Sequence, residues 1–379
     1  MSVSECMARR AISAALQTAR GLGLFAVSRK LTTDRLRILC YHGISIRNEH
    51  HWRPPLYMTR AKFADRLDYL KRAGYPVMDL DDALRASEDG TLPAGATVIT
   101  FDDGFKDFLR LAHPEMAHRG LPSTLYVTTY HAVKRTPVFR LIVDYMFWLS
   151  TASQIDLNYV TALPASFLNM LGRRHVILGD ARQALSWELV RYAETRLDED
   201  DRVLLGRQIG HALGVDYDDI REAGLFGIVD EHEIRTMASS GVDIQLHTHR
   251  HILPEDAGGL AREISDNRRV LEPAAGPRKH FCYPSGIWSD GQLSLLRTAG
   301  IASATTCDVG MNPMGHDPLI LRRFLDGQQV TQIRFEAEMS GFCDLLRDFK
   351  RCVAGAFAGL CKSKTIRARS TAPSEPSTV

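Results

Sequence analysis

Between residues 36 and 130, short apolar runs alternate with amphipathic stretches. Leu36-Arg37-Ile38-Leu39-Cys40-Tyr41 reads as a strand ending at His42-Gly43. Phe63, Leu67 and Leu70 then recur at helical spacing and predict a helix over 63–73, with Gly74 as its C-terminal cap. Tyr75 to Met78 reads as a short strand and 81–86 as a second helix. Thr97-Val98-Ile99-Thr100-Phe101 is β-branched and bounded by Gly95 and Asp102-Asp103-Gly104, the pattern of a buried strand. A helix over 107–119 and a strand over 123–128 complete a βαβ unit. The rhythm stops near 131 and resumes near 226, with helices predicted over 230–240, 258–272 and 290–299 and strands over 242–246, 279–283 and 301–305. Residues 131–225 are charged and helical, show no strand alternation, and predict a helical insertion. Repeated parallel βα units with polar residues at the strand ends predict an α/β chain folded as a (β/α) barrel, complete or distorted.

The two ends of the chain differ from this body. Ile12, Leu16, Ala19 and Leu22 predict one amphipathic helix over 5–30, with Arg9, Arg10, Arg20, Arg29 and Lys30 supplying positive charge. From 331 to 362, Phe335, Met339, Phe342, Leu346, Phe349, Val353, Phe357 and Leu360 fall three or four positions apart and predict a single helix with an apolar stripe. Its basic continuation, from Lys350 to Arg369, leaves two fates for that stripe: packing on the barrel or a second subunit, or lying on an anionic membrane. Past Lys364 the composition turns to Arg, Ser, Thr and Pro, which predicts a disordered tail. The expected organisation is therefore 1–35, a catalytic body of 36–130 with 226–330, the insertion 131–225, the helix 331–362 and the tail 363–379.

Composition narrows the class. Hydrophobic residues at 45% and charged residues at 24% describe a folded globular protein, and a net charge of +2 carries no basic footprint for nucleic acid. Seven cysteines without a CxxC pair suit reduced thiols, and the run from Ala11 to Ala19 is too broken by Ser13, Gln17 and Thr18 to read as a secretory signal. The expectation is a cytoplasmic protein, with the terminal helices offering a peripheral contact to the inner face of the membrane.

Two constellations carry chemistry. Asp102-Asp103 ends a buried strand, where adjacent like charges raise one another's pKa unless a cation compensates. Alone, two acids before a glycine are commonly a turn or a cap. His247-Thr248-His249-Arg250-His251 follows another predicted strand, and one helical turn would place His247 and His251 on a single face. Two histidines and one carboxylate leave a tetrahedral metal with an open position for water, and the second carboxylate is free to act as a base.

Thr100-Phe101-Asp102-Asp103-Gly104 resembles the TFDDG motif of the polysaccharide deacetylases (the NodB-homology domain, carbohydrate esterase family 4). His247-Thr248-x-x-His251 is similar to the family's H-[ST]-x-x-H, and Phe281-x-Tyr283-Pro284-Ser285-Gly286 to its proline-containing third motif. The resemblance spans about 36–130 and 226–325. It implies a distorted (β/α) barrel, Zn²⁺ or another divalent metal held by Asp103, His247 and His251, Asp102 as catalytic base, and the Ser285 backbone N–H as oxyanion donor. The implied reaction is removal of an acetyl group, N-acetyl foremost, from a carbohydrate by a metal-bound water. Thr248 would steady the site through a hydrogen bond, with His249 and Arg250 behind it or exposed.

The chain also departs from the family pattern. Leu321-Arg322-Arg323-Phe324 stands where the family's late Leu-x-His motif is expected. A circularly permuted branch carries that motif near the N-terminus, where Leu39-Cys40-Tyr41-His42 matches, making His42 the general acid. Cys282 replaces the third-motif arginine that orients the base, and Arg323 is the substitute offered. Cys282 and Cys307 read as small buried hydrophobes before thiol reactants, His316 as a solvated loop residue, and Tyr41, Tyr283 and Trp288 as either core or the floor of a sugar site. Two other functions fit the same residues: a C–N hydrolase acting on a small amide, or a catalytically silent sugar-binding module of a glycan assembly complex.

Overall fold

The structure is a computed structural model and describes residues 3–362, so the tail 363–379 lies outside the described residues. Seven strands form one sheet: β1 (Arg37–Tyr41), β2 (Thr97–Phe101), β3 (Thr124–Val127), β4 (Asp243–Leu246), β5 (His280–Cys282), β6 (Ser303–Thr305) and β7 (Phe324–Leu325). Their spatial order is β6-β5-β4-β3-β2-β1-β7, and every neighbouring pair is parallel. The two edges meet. Thr305 of β6 bridges in parallel to Leu321, just ahead of β7, where the Leu321 N–H bonds Ala304 O at 2.9 Å and the Thr306 N–H bonds Leu321 O at 2.8 Å. The result is the expected (β/α) barrel, distorted at this short closing seam.

β1, β2 and β3 are buried along their whole length, which is why they read as nearly unbroken apolar runs. Ile38, Val98, Tyr126 and Leu321 join Leu80 and Ala83 of the helix Leu80–Glu88 in one cluster. Phe63 packs edge to face on both Tyr41 and Phe101, whose own rings are tilted by 32°, with the three centroids 5.2–5.6 Å apart. Because all seven strands run the same way, the residues that follow β1, β2, β4 and β5 lie on one rim, and the candidate site residues His42, Asp102, Asp103, His247, His251 and Ser285 each follow one of those strands.

Several expectations need correction. The helix over 63–73 runs from Arg60 to Arg72, because the Thr59 side chain caps it by accepting from the Lys62 N–H. Tyr75–Met78 contributes only an isolated bridge from Val77 to Thr97. The stretch 107–119 is a π-helical turn, Phe108–Ala112, running into an α-helix, His113–His118. The insertion holds helices Phe139–Leu149, Asp180–Arg196 and Glu199–Leu213 among others, and also an unexpected antiparallel pair, Gln154–Asp156 with Arg174–Val176. These strands are three residues each, too short for alternation to show.

The chain divides into two compact units, residues 32–335 and a second made of the terminal segments 1–31 and 336–379. In the second unit the predicted N-terminal helix is two helices, Val3–Gly21 and Leu24–Leu31, broken at Gly23 with φ 76°. The predicted helix 331–362 is likewise two, Gln332–Met339 and Phe342–Lys362, separated at Gly341 with φ 80°. Phe25 and Phe342 pack with ring centroids 5.3 Å apart, and Arg20 pairs with Glu336 at 2.8 Å.

Candidate active site

At the end of β2 the chain turns so sharply that the two adjacent carboxylates part company. The Asp102 N–H is still bonded to Tyr41 O of β1 at 2.9 Å, but Asp103 has φ 71° and Gly104 φ 82°. A Cβ at Gly104 would lie 2.9 Å from a Val127 methyl, so glycine is required for both conformation and space. Asp103 consequently faces the histidine loop. Its Oδ1 lies 3.3 Å from Nε2 of both His247 and His251, and the donor atoms of the three side chains all fall within 4.8 Å of one another.

No helical turn brings those histidines together. Thr248 and His251 adopt left-handed backbone, φ 61° and 58°, which folds the loop until the two rings stand 4.9 Å apart. Two residues of the helix Ala257–Ala275 hold this conformation. The buried Glu263 accepts from the N–H groups of His249 at 3.0 Å and Arg250 at 2.8 Å. Asn267, also buried, accepts from the His247 N–H and donates to Val127 O and Thr129 Oγ1, each at 3.0 Å. The His247 Nδ1 donates to Cys282 O at 2.8 Å, which fixes the tautomer and leaves Nε2 toward Asp103. The hydrogen bond expected of Thr248 is not formed: its hydroxyl is buried without a partner among the described residues. His249 meets Thr129 Oγ1 at 2.9 Å, and Arg250 pairs with Glu263 and Asp266.

Two imidazole nitrogens and one carboxylate oxygen in this arrangement fit a divalent metal, Zn²⁺ or another that accepts mixed N and O donors. Burial alone would push the Asp103 carboxyl up, but the hydrogen bonds from His247 and His251 hold it well below the usual carboxylate range. Asp102 with His247 and Cys282, and Cys40 with His42 and Asp102, also sit within 4.8 Å. Both oxygens of Asp102 are already occupied by a guanidinium, so the Asp103 set is the one open to a cation.

That guanidinium is Arg323, just before β7. It is fully buried and grips Asp102 with two parallel bonds, Nη1 to Oδ1 and Nη2 to Oδ2, each 2.7 Å. Its Nε donates to Thr306 O at 2.8 Å and its Nη1 to Thr100 Oγ1 at 3.1 Å. Burial opposes ionisation of Asp102, yet Arg323 outweighs it and keeps the carboxyl far below its ordinary value. The Cys282 sulfur lies 3.3 Å from Nη2, so the residue standing where the family's arginine is expected touches the arginine that replaces it. His42 Nε2 is 3.8 Å from Asp102 Oδ2, on the same rim.

Ser285 has φ 56° in a tight turn, closed by the Gly286 N–H on Tyr283 O at 2.9 Å, and is exposed. Four of the six non-glycine residues with left-handed backbone among the described residues are thus Asp103, Thr248, His251 and Ser285, all in the three motifs. Such conformations cost about 1–3 kcal/mol each and persist where the surroundings impose them. Tyr41 and Tyr283 are buried core residues, the latter donating to Leu319 O at 2.9 Å, so neither floors a sugar site. Cys282 is buried, and burial pushes the Cys307 thiol up to about 11. His316 lines a cleft with Leu36 and Leu84, at the end of β1 opposite His42.

A family model described as polysaccharide deacetylase matches residues 204–304, which include His247, His251 and Ser285 but not Asp102, Asp103 or His42. Over that segment the chain is similar to the polysaccharide deacetylase family. Among solved structures, the deacetylase PplD of Streptococcus pyogenes in complex with acetate is similar in fold, with TM-score 0.51 and 17% identity over 80% of this chain and 98% of that one. IcaB from Ammonifex degensii aligns with TM-score 0.49 and 19% identity over 81% of this chain and 97% of its own. No curated protein sequence matches. The barrel is also the fold of the PplD structure.

Proposed function

We propose that this protein is a deacetylase that removes N-acetyl groups from a carbohydrate with a divalent metal held by Asp103, His247 and His251. One observation carries the reading: beside that donor set stands a second carboxylate, Asp102, which is buried, charged and not available as a ligand because Arg323 holds both of its oxygens. A silent sugar-binding module would have no use for a spare carboxylate maintained in that state.

A cation at Asp103, His247 and His251 supplies Lewis acidity, lowering the pKa of a nearby water and polarising the acetyl carbonyl. This chain's own residues do the rest. Asp102 accepts the proton of the attacking water, and its fixed orientation aims that acceptor. The Ser285 N–H donates to the oxygen on which negative charge develops. His42 protonates the leaving nitrogen; an amine leaves poorly without a proton, so an acid placed beside the base suits an N-acetyl better than an O-acetyl group.

The test is acetate release by the purified full chain from a panel of N- and O-acetylated oligosaccharides, with and without chelator. N-acetyl cleavage abolished by chelator and restored by Zn²⁺ or another divalent metal is expected. Asp102→Asn should keep its metal and lose about 10²–10⁴-fold in turnover. Release insensitive to chelator would refute the metal, and a metal-loaded protein that releases no acetate from any member of the panel would favour the silent-module reading.

A further inference from the structure

The unit formed by the terminal segments presents two apolar stripes with one sign of charge around them. Leu24, Val27 and Leu31 fall at i, i+3 and i+7 of the helix Leu24–Leu31 and are exposed, while Phe25 and Ser28 on the other side are buried. Leu346, Phe349 and Val353 repeat that spacing on the helix Phe342–Lys362 and are exposed too, Phe349 to 67%, with Cys343 and Asp344 buried. The stripe expected to run continuously from Phe335 to Leu360 is therefore split among the described residues: Phe335 and Met339 are core, and Leu346, Phe349 and Val353 face outward. Leu22, at the break between the first two helices, is 72% exposed.

Single exposed leucines are ordinary; grouped stripes on adjacent helices are not. The charge around them is informative. Arg10, Arg20, Lys30, Lys350 and Arg351 are exposed. The acids of this unit whose side chains are described are turned inward or half-buried: Glu336 bonds Arg20, Glu338 and Asp344 meet Arg347, and Asp348 meets Arg351. A second copy docked on this face would bring like charges together. An anionic bilayer accepts both features at once, cations among its headgroups and apolar side chains at the acyl boundary. No helix among the described residues is long and apolar enough to cross a membrane, so the contact is with a surface.

We propose that the terminal unit binds the surface of an anionic lipid bilayer through the exposed stripes Leu24-Val27-Leu31 and Leu346-Phe349-Val353 and the cations beside them. The inference stands on this unit alone and is independent of the catalytic reading. It is tested by co-sedimentation of the full chain with vesicles of phosphatidylcholine alone and of phosphatidylcholine with phosphatidylglycerol, at low and high salt. Binding to the anionic vesicles that weakens with salt is expected. Lys30→Gln and Lys350→Gln should each reduce partitioning about five-fold, from ~1 kcal/mol per basic residue near such a surface. Val27→Gln with Phe349→Gln should reduce it more than about ten-fold, because apolar burial adds to the charge term, with an unchanged melting temperature since both side chains are exposed. Absence of binding to anionic vesicles would overturn the proposal, as would equal binding to neutral vesicles that is indifferent to the lysine variants. A concentration-dependent increase in mass by light scattering that Phe349→Gln abolishes while vesicle binding stays intact would overturn it in favour of self-association.

Discussion

Replacing Arg323 by alanine separates what the arginine does for the fold from what it does for the base. Arg323 is fully buried and Asp102 only 2% exposed, so Arg323→Ala leaves a carboxylate uncompensated in the barrel interior. Removing one partner of a buried pair typically costs about 3–5 kcal/mol. The alternative open to the carboxyl is to take up a proton, which abolishes its use as a base. Either route predicts a loss of about 10²–10⁴-fold in turnover, together with a lower unfolding midpoint. Arg323→Lys keeps a charge without the fork and should fall between parent and alanine variant. The double variant Arg323→Ala with Asp102→Asn removes the charge along with its partner and should be more stable than Arg323→Ala alone. Activity is read as acetate release, stability by denaturant titration, and metal by elemental analysis, which should stay at the parent value. Because the Cys282 sulfur already touches the guanidinium, Cys282→Arg in the Arg323→Ala background should return part of the turnover. Turnover of Arg323→Ala within a few fold of the parent at an unchanged midpoint would refute the reasoning, and so would strictly additive destabilisation in the double variant.

Three further outcomes are expected. His247→Ala should abolish stoichiometric metal by elemental analysis, and full retention would remove Asp103, His247 and His251 as the ligand set. Asn267→Ala should weaken metal affinity about 10–100-fold in a chelator competition, the usual cost of losing a group that orients a ligand, with an unchanged affinity counting against that role. Asp107 is buried and its carboxyl is pushed well above its ordinary value by burial and then by the charges of Glu49 and Asp103, against the bond from the Ile44 N–H. A carboxyl raised on folding favours the native state below its unfolded pKa of ~3.9, and that contribution is lost as pH rises through the folded value. Asp107→Asn keeps an acceptor for Ile44, so its stability relative to the parent should increase as pH is raised above ~4, and a constant or shrinking difference would contradict the assignment.

How much of this was legible in the residues depended on whether a feature is written locally. β1 to β6 were legible because each falls in a short stretch rich in apolar or β-branched residues and bounded by turn residues, and the ends of β1, β2, β4 and β5 carry the motif residues. The loop of His247 to His251 was misread as a helical turn because spacing of four suits a helix, whereas the conformation is set by Glu263 and Asn267 from another element. Those two had a signal of their own: they lie four apart on the buried face of a helix that otherwise presents Leu260, Ile264 and Leu271, and polar residues there need partners. Arg323 was legible as the substitute offered for the missing third-motif arginine, and the structure does pair it with Asp102, but its pattern along the chain did not single it out. Its partner is a matter of strand order, which periodicity does not encode. The hairpin in the insertion was illegible because three residues per strand give alternation no length in which to show.

The closing seam of the barrel has a consequence for biosynthesis. Asp102 and its counter-ion are 221 positions apart, and Arg323 arrives on the segment that joins β6 to β7 and shuts the sheet. A ribosome-bound chain that has exposed both aspartates, both histidines and Ser285 still lacks the cation that keeps Asp102 charged. Non-local pairings of this kind are the slow ones in folding. On the proposed mechanism, activity would begin only at barrel closure, and a chain truncated ahead of residue 323 would retain Asp103, His247 and His251 without the cation that keeps Asp102 charged.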